Sequence, residues 1–251
     1  MPPSEIRKDA RESLAGKWGK AVCILLAYLL ISFVIGVIEG LAKEGSTLAL
    51  ILGLASFIIS VPMSFGLIIS FIKLKREEEV SAFGFLKDGF SRFGKSWGIW
   101  AHTLLKLLLP IICLVFVIVL MAVLISVNVV ISEAGFSIGL ILLFVVLYIA
   151  TLIYVVSRSF LYVLAYYIGY DEPNLSSGEC VKKSEKLMKG NRGSYFLLEL
   201  SFIGWAILAV LSLGIGMLWL IPYMSIATVC FYDRVAKPNT KSIDEETSIE
   251  E

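Results

Sequence analysis

The sequence predicts an all-α polytopic membrane protein, with six transmembrane helices arranged as three repeated hairpins. Hydrophobic residues make up 58% of the 251 residues and charged residues 17%, whereas soluble domains average about 45–50% and about 25%. Several apolar tracts reach the roughly 20 residues that a helix needs to cross a bilayer. This composition excludes an ordinary soluble enzyme, and a net charge of +1 gives no basic field for a nucleic-acid partner.

The apolar tracts define the predicted spans. Four of them predict one span each, at residues 21–41, 48–72, 97–126 and 136–168. The last tract, 195–232, is too long for one helix, and Gly214 and Gly216 near its middle allow a tight turn. It is therefore predicted as two spans, 195–213 and 215–232. Residues 1–235 form a single membrane domain, and the Pro-, Ser-, Thr- and Glu-rich segment 236–251 is predicted to be a disordered cytoplasmic tail.

The basic residues support this count of spans. Nearly all of the 22 Lys and Arg residues lie before span one, between spans two and three, between spans four and five, and after the last span. Six spans place these four segments on one side of the membrane, whereas five would place the C-terminal cluster on the other side. Because cytoplasmic loops are enriched in Lys and Arg, both termini are predicted to be cytoplasmic.

A short charged segment precedes spans one, three and five. Each begins with a Ser as candidate N-cap and ends at a Gly, in the pairs Ser4 and Gly16, Ser81 and Gly94, and Ser176 and Gly190. In the third segment, Ser176 and Glu179 have the spacing of a capping box. These segments predict amphipathic helices in the membrane interface, with apolar faces towards lipid and basic residues near the headgroups.

Four ionisable residues are predicted to lie in the cytoplasmic half of the spans: His102, Lys106, Arg158 and Glu199. Such residues are costly in a membrane and often mark a functional site. In one interpretation they line a water-accessible cavity in which Glu199 pairs with Arg158 or Lys106, and which holds an anionic headgroup, a peptide carboxylate or a proton. In the other, Glu199 neutralises one cation to help helix packing, while Lys106 extends to the interface. His102 has no second ligand at metal spacing, so neither a metal nor another cofactor is predicted.

Several segments resemble a known bacterial family. They are Asp171-Glu-Pro-Asn-Leu-Ser176, Leu187-Met-Lys-Gly-Asn191, Leu200-Ser-Phe-Ile-Gly-Trp205 and Leu213-Gly-Ile-Gly-Met-Leu-Trp-Leu-Ile-Pro-Tyr223. The chain resembles domain-of-unknown-function family nine-seven-five, integral membrane proteins found mainly in Gram-positive bacteria. That family usually carries Asp at the position of Glu199, Lys at that of Arg158 and Pro at that of Tyr154. The resemblance implies a bacterial cytoplasmic membrane and brings no reaction, substrate or catalytic residue.

Three functions remain open at this stage. The sequence contains no P-loop, HExxH or GxSxG motif, so the main prediction is a non-enzyme, a module that binds another membrane protein, a membrane-active peptide or lipid. The first alternative is a small permease or exporter that moves a solute or lipid by way of the polar residues. The second is a membrane enzyme acting on lipid headgroups. The lipid bilayer is the partner common to all three, and the oligomeric state stays open.

Overall fold

The computed structural model describes residues 2–43, 45–131 and 134–236, and these ranges contain helices and turns with no strand. The helices are α1 (Pro3–Leu14), α2 (Trp18–Gly40), α3 (Thr47–Lys75), α4 (Gly84–Phe90), α5 (Phe93–Ile131), α6 (Ala134–Ser159), α7 (Ala165–Asp171), α8 (Ser177–Met188), α9 (Arg192–Leu200), α10 (Ile203–Leu211) and α11 (Met217–Ala236). A short 3-10 turn, Phe160–Tyr162, joins α6 to the segment before α7. The predicted disordered tail lies outside the described residues from residue 237 onward.

Five helical stretches are long and apolar enough to cross a membrane. They are Trp18–Gly40, Thr47–Lys75, Phe93–Val123, Leu142–Asp171 and Arg192–Leu211. They overlap the first five predicted spans, and most of their ends lie within a few residues of the predicted ends. The region of the sixth predicted span forms α11, a helix of 20 residues that is interrupted by Pro222 and ends in charged residues. Ten residues of α11 are buried, because it packs against α1, α2 and α3.

The protein core lies at the ends of the long helices that adjoin the charged segments. In α2 the buried residues are Ala21, Ile24, Leu25 and Ala27 near its beginning, and in α3 they fall between Val61 and Leu74 at its end. Towards the other ends of the long helices the side chains are exposed, for example Leu41 at 81% and Leu213 at 94%. Such continuous exposed apolar surface is typical of helices that contact lipid.

The three amphipathic helices differ in how they begin. In α8 the capping box is confirmed: the Glu179 backbone N–H donates to Ser176 Oγ at 3.3 Å, and the Ser176 N–H donates to Glu179 Oε2 at 2.7 Å. The prediction that Ser4 is an N-cap is wrong, because α1 begins one residue earlier, at Pro3. Proline suits the first turn of a helix, where its fixed φ is helical and its missing N–H costs nothing.

The second amphipathic helix is shorter than predicted. Ser81 lies in a turn, Phe83 occupies the N-cap position of α4, and Gly94 belongs to α5 instead of ending the preceding helix. The sequence signal for a long helix was weak here, because the segment contains three glycines in addition to its apolar residues. The helix end predicted at Gly190 is confirmed, with a positive φ of 88° directly after α8.

Much of the apolar face of each of these helices packs on the bundle, although Phe90 of α4 is 41% exposed. Ile6 of α1, Phe85 of α4 and Val181 of α8 are buried by protein alone. The closest approach is between α3 and α4, where a Cβ added to Gly66 would lie 1.8 Å from the carbonyl oxygen of Phe85. The expected lipid contact is therefore wrong for Ile6, Phe85 and Val181, because the ends of the long helices offer an apolar surface that covers these three side chains.

Candidate functional site

The predicted polar residues do not form one cluster. Three of them lie around α8. The Nδ1 atom of His102 is 2.8 Å from the Gly98 carbonyl oxygen, and the ring lies so near α8 that a Cβ on Gly178 would be 3.0 Å from His102 Nε2. Lys106 Nζ is 3.9 Å from Glu185 Oε2 on α8.

Arg158 lies beside the same helix. Its Nη2 atom is 3.4 Å from the hydroxyl oxygen of Tyr162, and both Arg158 and Glu185 act electrostatically on that hydroxyl. Glu185 is thus the acidic residue of this group, and sequence reasoning missed it. The signal was present: Glu185 lies four residues after Val181 and three before Met188, and these two apolar residues mark the helix face that packs on the bundle.

Glu199 lies apart from these three residues. Within the described ranges it forms no ion pair with Lys106 or Arg158, whose polar contacts go to Glu185 and Tyr162. Its polar neighbours are the hydroxyls of Tyr195, one turn earlier in α9, and of Tyr167 in α7. The structure therefore does not bring the four predicted residues together.

A cavity lies between α1, the beginning of α2, α10 and α11. Its volume is about 640 Å³, which is within the range of small-molecule sites. Its walls are mostly apolar or aromatic, and two arginines of α1 are its charged residues. The described residues that line it are Arg7, Arg11, Trp18, Trp205, Leu208, Ala209, Ser212, Gly216, Trp219, Leu220 and Tyr223.

Contacts with α9, α10 and α11 fix α1 over this cavity. Arg7 Nη1 donates to the carbonyl oxygen of Ser201 at 3.1 Å, and the Tyr223 hydroxyl donates to the carbonyl oxygen of Arg7 at 3.1 Å. Arg234 near the end of α11 binds Glu5 at 3.1 Å and Asp9 at 2.5 Å. These contacts join residues that lie about 200 positions apart in the sequence, so the cavity is a product of tertiary structure.

The two arginines of the cavity have no acidic partner within 4 Å among the described residues. They lie one helical turn apart, so both point from the same side of α1. The Nε–H group of Arg7 is buried and has no hydrogen-bond acceptor. A planar guanidinium binds phosphate or carboxylate with two parallel hydrogen bonds, so this end of the cavity is suited to an anionic group.

The remaining walls of the cavity suit an apolar chain. Trp205 and Trp219 are about half-exposed on α10 and α11, and the Trp18 and Tyr223 rings are 6.2 Å apart. Trp and Tyr are common at the level of lipid headgroups because they are apolar rings with one polar atom. None of these residues was a predicted site residue. One sequence feature could have indicated this site: Arg7 and Arg11 lie one helical turn apart in a segment next to a predicted span.

A network of ion pairs holds the ends of α3, α7 and α11 together. Arg76 donates to both carboxylate oxygens of Asp171, at 2.6 and 2.8 Å, and to Asp233 at 3.3 Å. Lys75 also binds Asp233, and the Tyr232 hydroxyl donates to Asp171 at 3.1 Å. Hydrogen bonding to Asp171 raises the pKa of the Arg76 guanidinium above its ordinary value. Sequence reasoning used these cations only to orient the spans and missed their pairing.

The segment that begins with Asp171 has a structural role. Lys183 binds both carboxylate oxygens of Glu172, at 2.5 and 2.7 Å. Lys95 Nζ donates to three carbonyl oxygens of the same segment, those of Glu172, Pro173 and Leu175. The segment therefore ties the end of α7 to α5 and α8. Across the described residues, no group of three or more His, Cys, Asp or Glu side chains could hold a metal ion.

Comparison with known proteins identifies a family. The sequence profile of the family described as "Protein of unknown function (DUF975)" matches residues 1–239. No curated protein and no solved structure matches the chain.

Proposed function

Since the chain belongs to the DUF975 family of proteins of unknown function, we propose its function from the geometry of the cavity: it binds an anionic amphiphile in a membrane. Such a molecule carries a negatively charged headgroup on an apolar chain. The observation that carries the proposal is the pair Arg7 and Arg11, which lack acidic partners and lie at one end of an apolar, tryptophan-lined cavity. In an apolar setting, two unpaired cations favour an anion strongly.

The proposed setting is a bacterial cytoplasmic membrane with both termini in the cytoplasm. In this arrangement the five apolar stretches and α11 are six spans, forming three hairpins in one domain. The basic segments, which lie beside the packed ends of the hairpins, support this orientation. α1 and its arginines then lie at the cytoplasmic side, at the depth where lipid headgroups meet the protein.

The proposed activity is binding without catalysis. Of the described residues that line the cavity, two carry hydroxyl groups, and each donates to a backbone carbonyl. Ser212 donates to Ala209 and Tyr223 to Arg7. Neither hydroxyl is paired with a base that would activate it as a nucleophile. Transport through the predicted polar residues has less support, because Glu199 lies apart from Lys106 and Arg158.

Tryptophan fluorescence tests the proposal. Three of the five Trp residues line the cavity, and replacing Trp97 and Trp100 by Phe removes the other two signals. The protein is placed in neutral phosphatidylcholine bilayers, and brominated phosphatidylglycerol or brominated phosphatidylcholine is added as a quencher. We expect stronger quenching by the anionic lipid at equal mole fraction. Equal quenching by the two lipids would refute the proposal.

A matched pair of variants assigns the preference to the cavity. Arg11→Gln removes a cation that lines the cavity, whereas Lys8→Gln removes an exposed cation of the same helix. A charge-assisted hydrogen bond contributes about 1.5–3 kcal/mol, so Arg11→Gln should weaken binding of the anionic lipid by about tenfold or more. Lys8→Gln should leave it unchanged. A similar loss in both variants would indicate general surface attraction instead of a site.

A further inference from the structure

A second opening in the structure is lined by an acidic residue, whereas the cavity described above is lined by two arginines. It is a groove of about 530 Å³ between the end of α6, α9, α10 and α11. Glu199 is the charged residue among the described side chains that line it, and Phe160, Tyr195, Phe196 and Phe202 form much of its wall. We call it the Glu199 groove. α10 separates it from the arginine-lined cavity, since Ile203 and Ala206 face the groove while Trp205 and Leu208 face the cavity.

The carboxylate in this groove has no cationic partner within 4 Å among the described residues. The two partners predicted for it from the sequence lie elsewhere, because the Arg158 guanidinium is at the Tyr162 hydroxyl and Lys106 is at Glu185. Glu199 contacts the hydroxyl of Tyr195, which is a neutral group. A half-buried carboxylate between apolar rings therefore attracts, when it is ionised, a cation that enters the groove.

The aromatic rings beside Glu199 add a second preference for positive charge. The Phe160 ring is 5.4 Å from the Tyr195 ring and 6.3 Å from the Phe196 ring, measured between centroids. The face of an aromatic ring attracts a cation, and sites for quaternary ammonium groups combine such rings. The carboxylate and the ring faces thus favour the same kind of ligand.

From these features we infer that the Glu199 groove binds an organic cation with an apolar body. An inorganic cation fits poorly, because Mg²⁺ and Ca²⁺ need about six or more oxygen ligands and the groove supplies one carboxylate beside hydroxyls. The volume is that of a small-molecule site, since such sites range over about 300–1,000 Å³. The groove and the arginine-lined cavity share no lining residue. Either proposal can therefore be refuted while the other stands.

Two ions of the same shape and opposite charge test the inference. Tetraphenylphosphonium and tetraphenylborate are titrated against the protein in neutral-lipid nanodiscs, with empty nanodiscs as the background. We expect saturable binding of tetraphenylphosphonium that is weaker by about tenfold or more in Glu199→Gln, because the charge attraction is lost. Glu199→Asp keeps the charge and should bind within a few fold of the unchanged protein.

The control variant is Glu39→Gln, which removes another acid of a spanning helix, outside the groove. It should leave the binding of tetraphenylphosphonium unchanged. A second variant, Phe196→Leu, keeps the carboxylate and alters an exposed ring of the groove. Because a cation–π contact contributes about 0.5–1 kcal/mol at exposed sites, this variant should weaken binding by about two- to fivefold, even if Glu199→Gln does not fold.

Two results would overturn the inference. One is an affinity for tetraphenylphosphonium that is the same in folded Glu199→Gln, or in Phe196→Leu, as in the unchanged protein. The other is an equal loss of tetraphenylborate and tetraphenylphosphonium binding in Glu199→Gln. Such a result would show that attraction between the carboxylate and a cation does not determine binding. Sensitivity of tetraphenylborate binding to Arg11→Gln alone would support both sites, since it assigns the anion to the cavity and the cation to the groove.

Discussion

Arginine side chains of this protein occur in two environments, and the environment decides what each can do. Arg76 is surrounded by the carboxylates of Asp171 and Asp233, so its hydrogen-bonding capacity is used within the protein. Arg7 and Arg11 have no such acids among the described residues, and the Nε–H group of Arg7 has no acceptor, which makes the pair a candidate for binding an anion. The same residue type thus stabilises the fold in one place and forms a candidate binding site in the other.

Replacing Arg76 by Met should destabilise the protein, because it leaves two partly buried carboxylates without their shared cation. Removing one partner of a fully buried pair costs about 3–5 kcal/mol. A quarter of the Arg76 side chain is exposed (25%), so we expect about 2 kcal/mol. Unfolding in mixed micelles by a denaturing detergent, followed by tryptophan fluorescence, measures this loss. Lys8→Gln, which breaks an exposed pair, should change stability by less than about 0.5 kcal/mol, and an equal change in both variants would contradict the role given to Arg76.

Glu179 gives a pH-dependent prediction. Hydrogen bonding from Ser176 lowers the pKa of the Glu179 carboxyl in the folded protein. The capping box therefore stabilises α8 above the ordinary pKa of Glu, about 4.3, and this contribution is lost as the pH falls through the lowered pKa. The difference in thermal midpoint between the unchanged protein and Glu179→Gln should be present near neutral pH and shrink in acid. A difference that grows on acidification would be inconsistent with the capping box.

At the scale of elements, glycine decides how closely α3 and α4 pack. Their backbones touch at two points, since a Cβ on Gly66 would lie 1.8 Å from the Phe85 carbonyl oxygen and one on Gly89 would lie 2.0 Å from that of Pro62. Both contacts are with backbone atoms, which cannot rotate away as a side chain can. A seven-residue helix such as α4 is too short to be stable alone, so this contact holds it in place.

Gly66→Ala should therefore separate α4 from α3 or distort both. We expect a loss of about 3 kcal/mol or more, as for severe overpacking, together with faster proteolysis of the segment around α4. The matched control is Gly53→Ala in the same helix, where no heavy atom lies within 4 Å of an added Cβ. Alanine is the better helix former by up to about 1 kcal/mol, so the control should be neutral or stabilising. Comparable stability of the two variants would show that α4 does not pack as described.

At the scale of the whole molecule, the packed and the exposed apolar surfaces lie at opposite ends of the long helices. The buried residues of α2 and α3 lie at the ends that adjoin the charged segments, and the ion pairs of Arg76 lie there too. The tips, such as Leu213, are open. This division suits a membrane protein that is held together near one surface of the bilayer, while lipid covers the rest.

The proposed six-span topology can be checked with reporters. Green fluorescent protein fused after residue 251 should fluoresce, and alkaline phosphatase at the same place should be inactive, since both results indicate a cytoplasmic C-terminus. Alkaline phosphatase inserted near Gly45, between α2 and α3, should be active. If α11 does not complete a sixth crossing, the C-terminal fusions will behave in the opposite way.

The sequence by itself determined where the long apolar helices lie and what kind of surface they need. Apolar length and the Ser176 capping box are properties of neighbouring residues, so the first five spans and the start of α8 could be predicted from them. Only the tertiary structure decided what the charged residues contact: Lys106 lies at Glu185, and Arg7 donates to the carbonyl oxygen of Ser201, 194 positions away along the chain. These contacts depend on the rotation and tilt of each helix, and hydropathy does not specify either, because lipid accepts every side of an apolar helix.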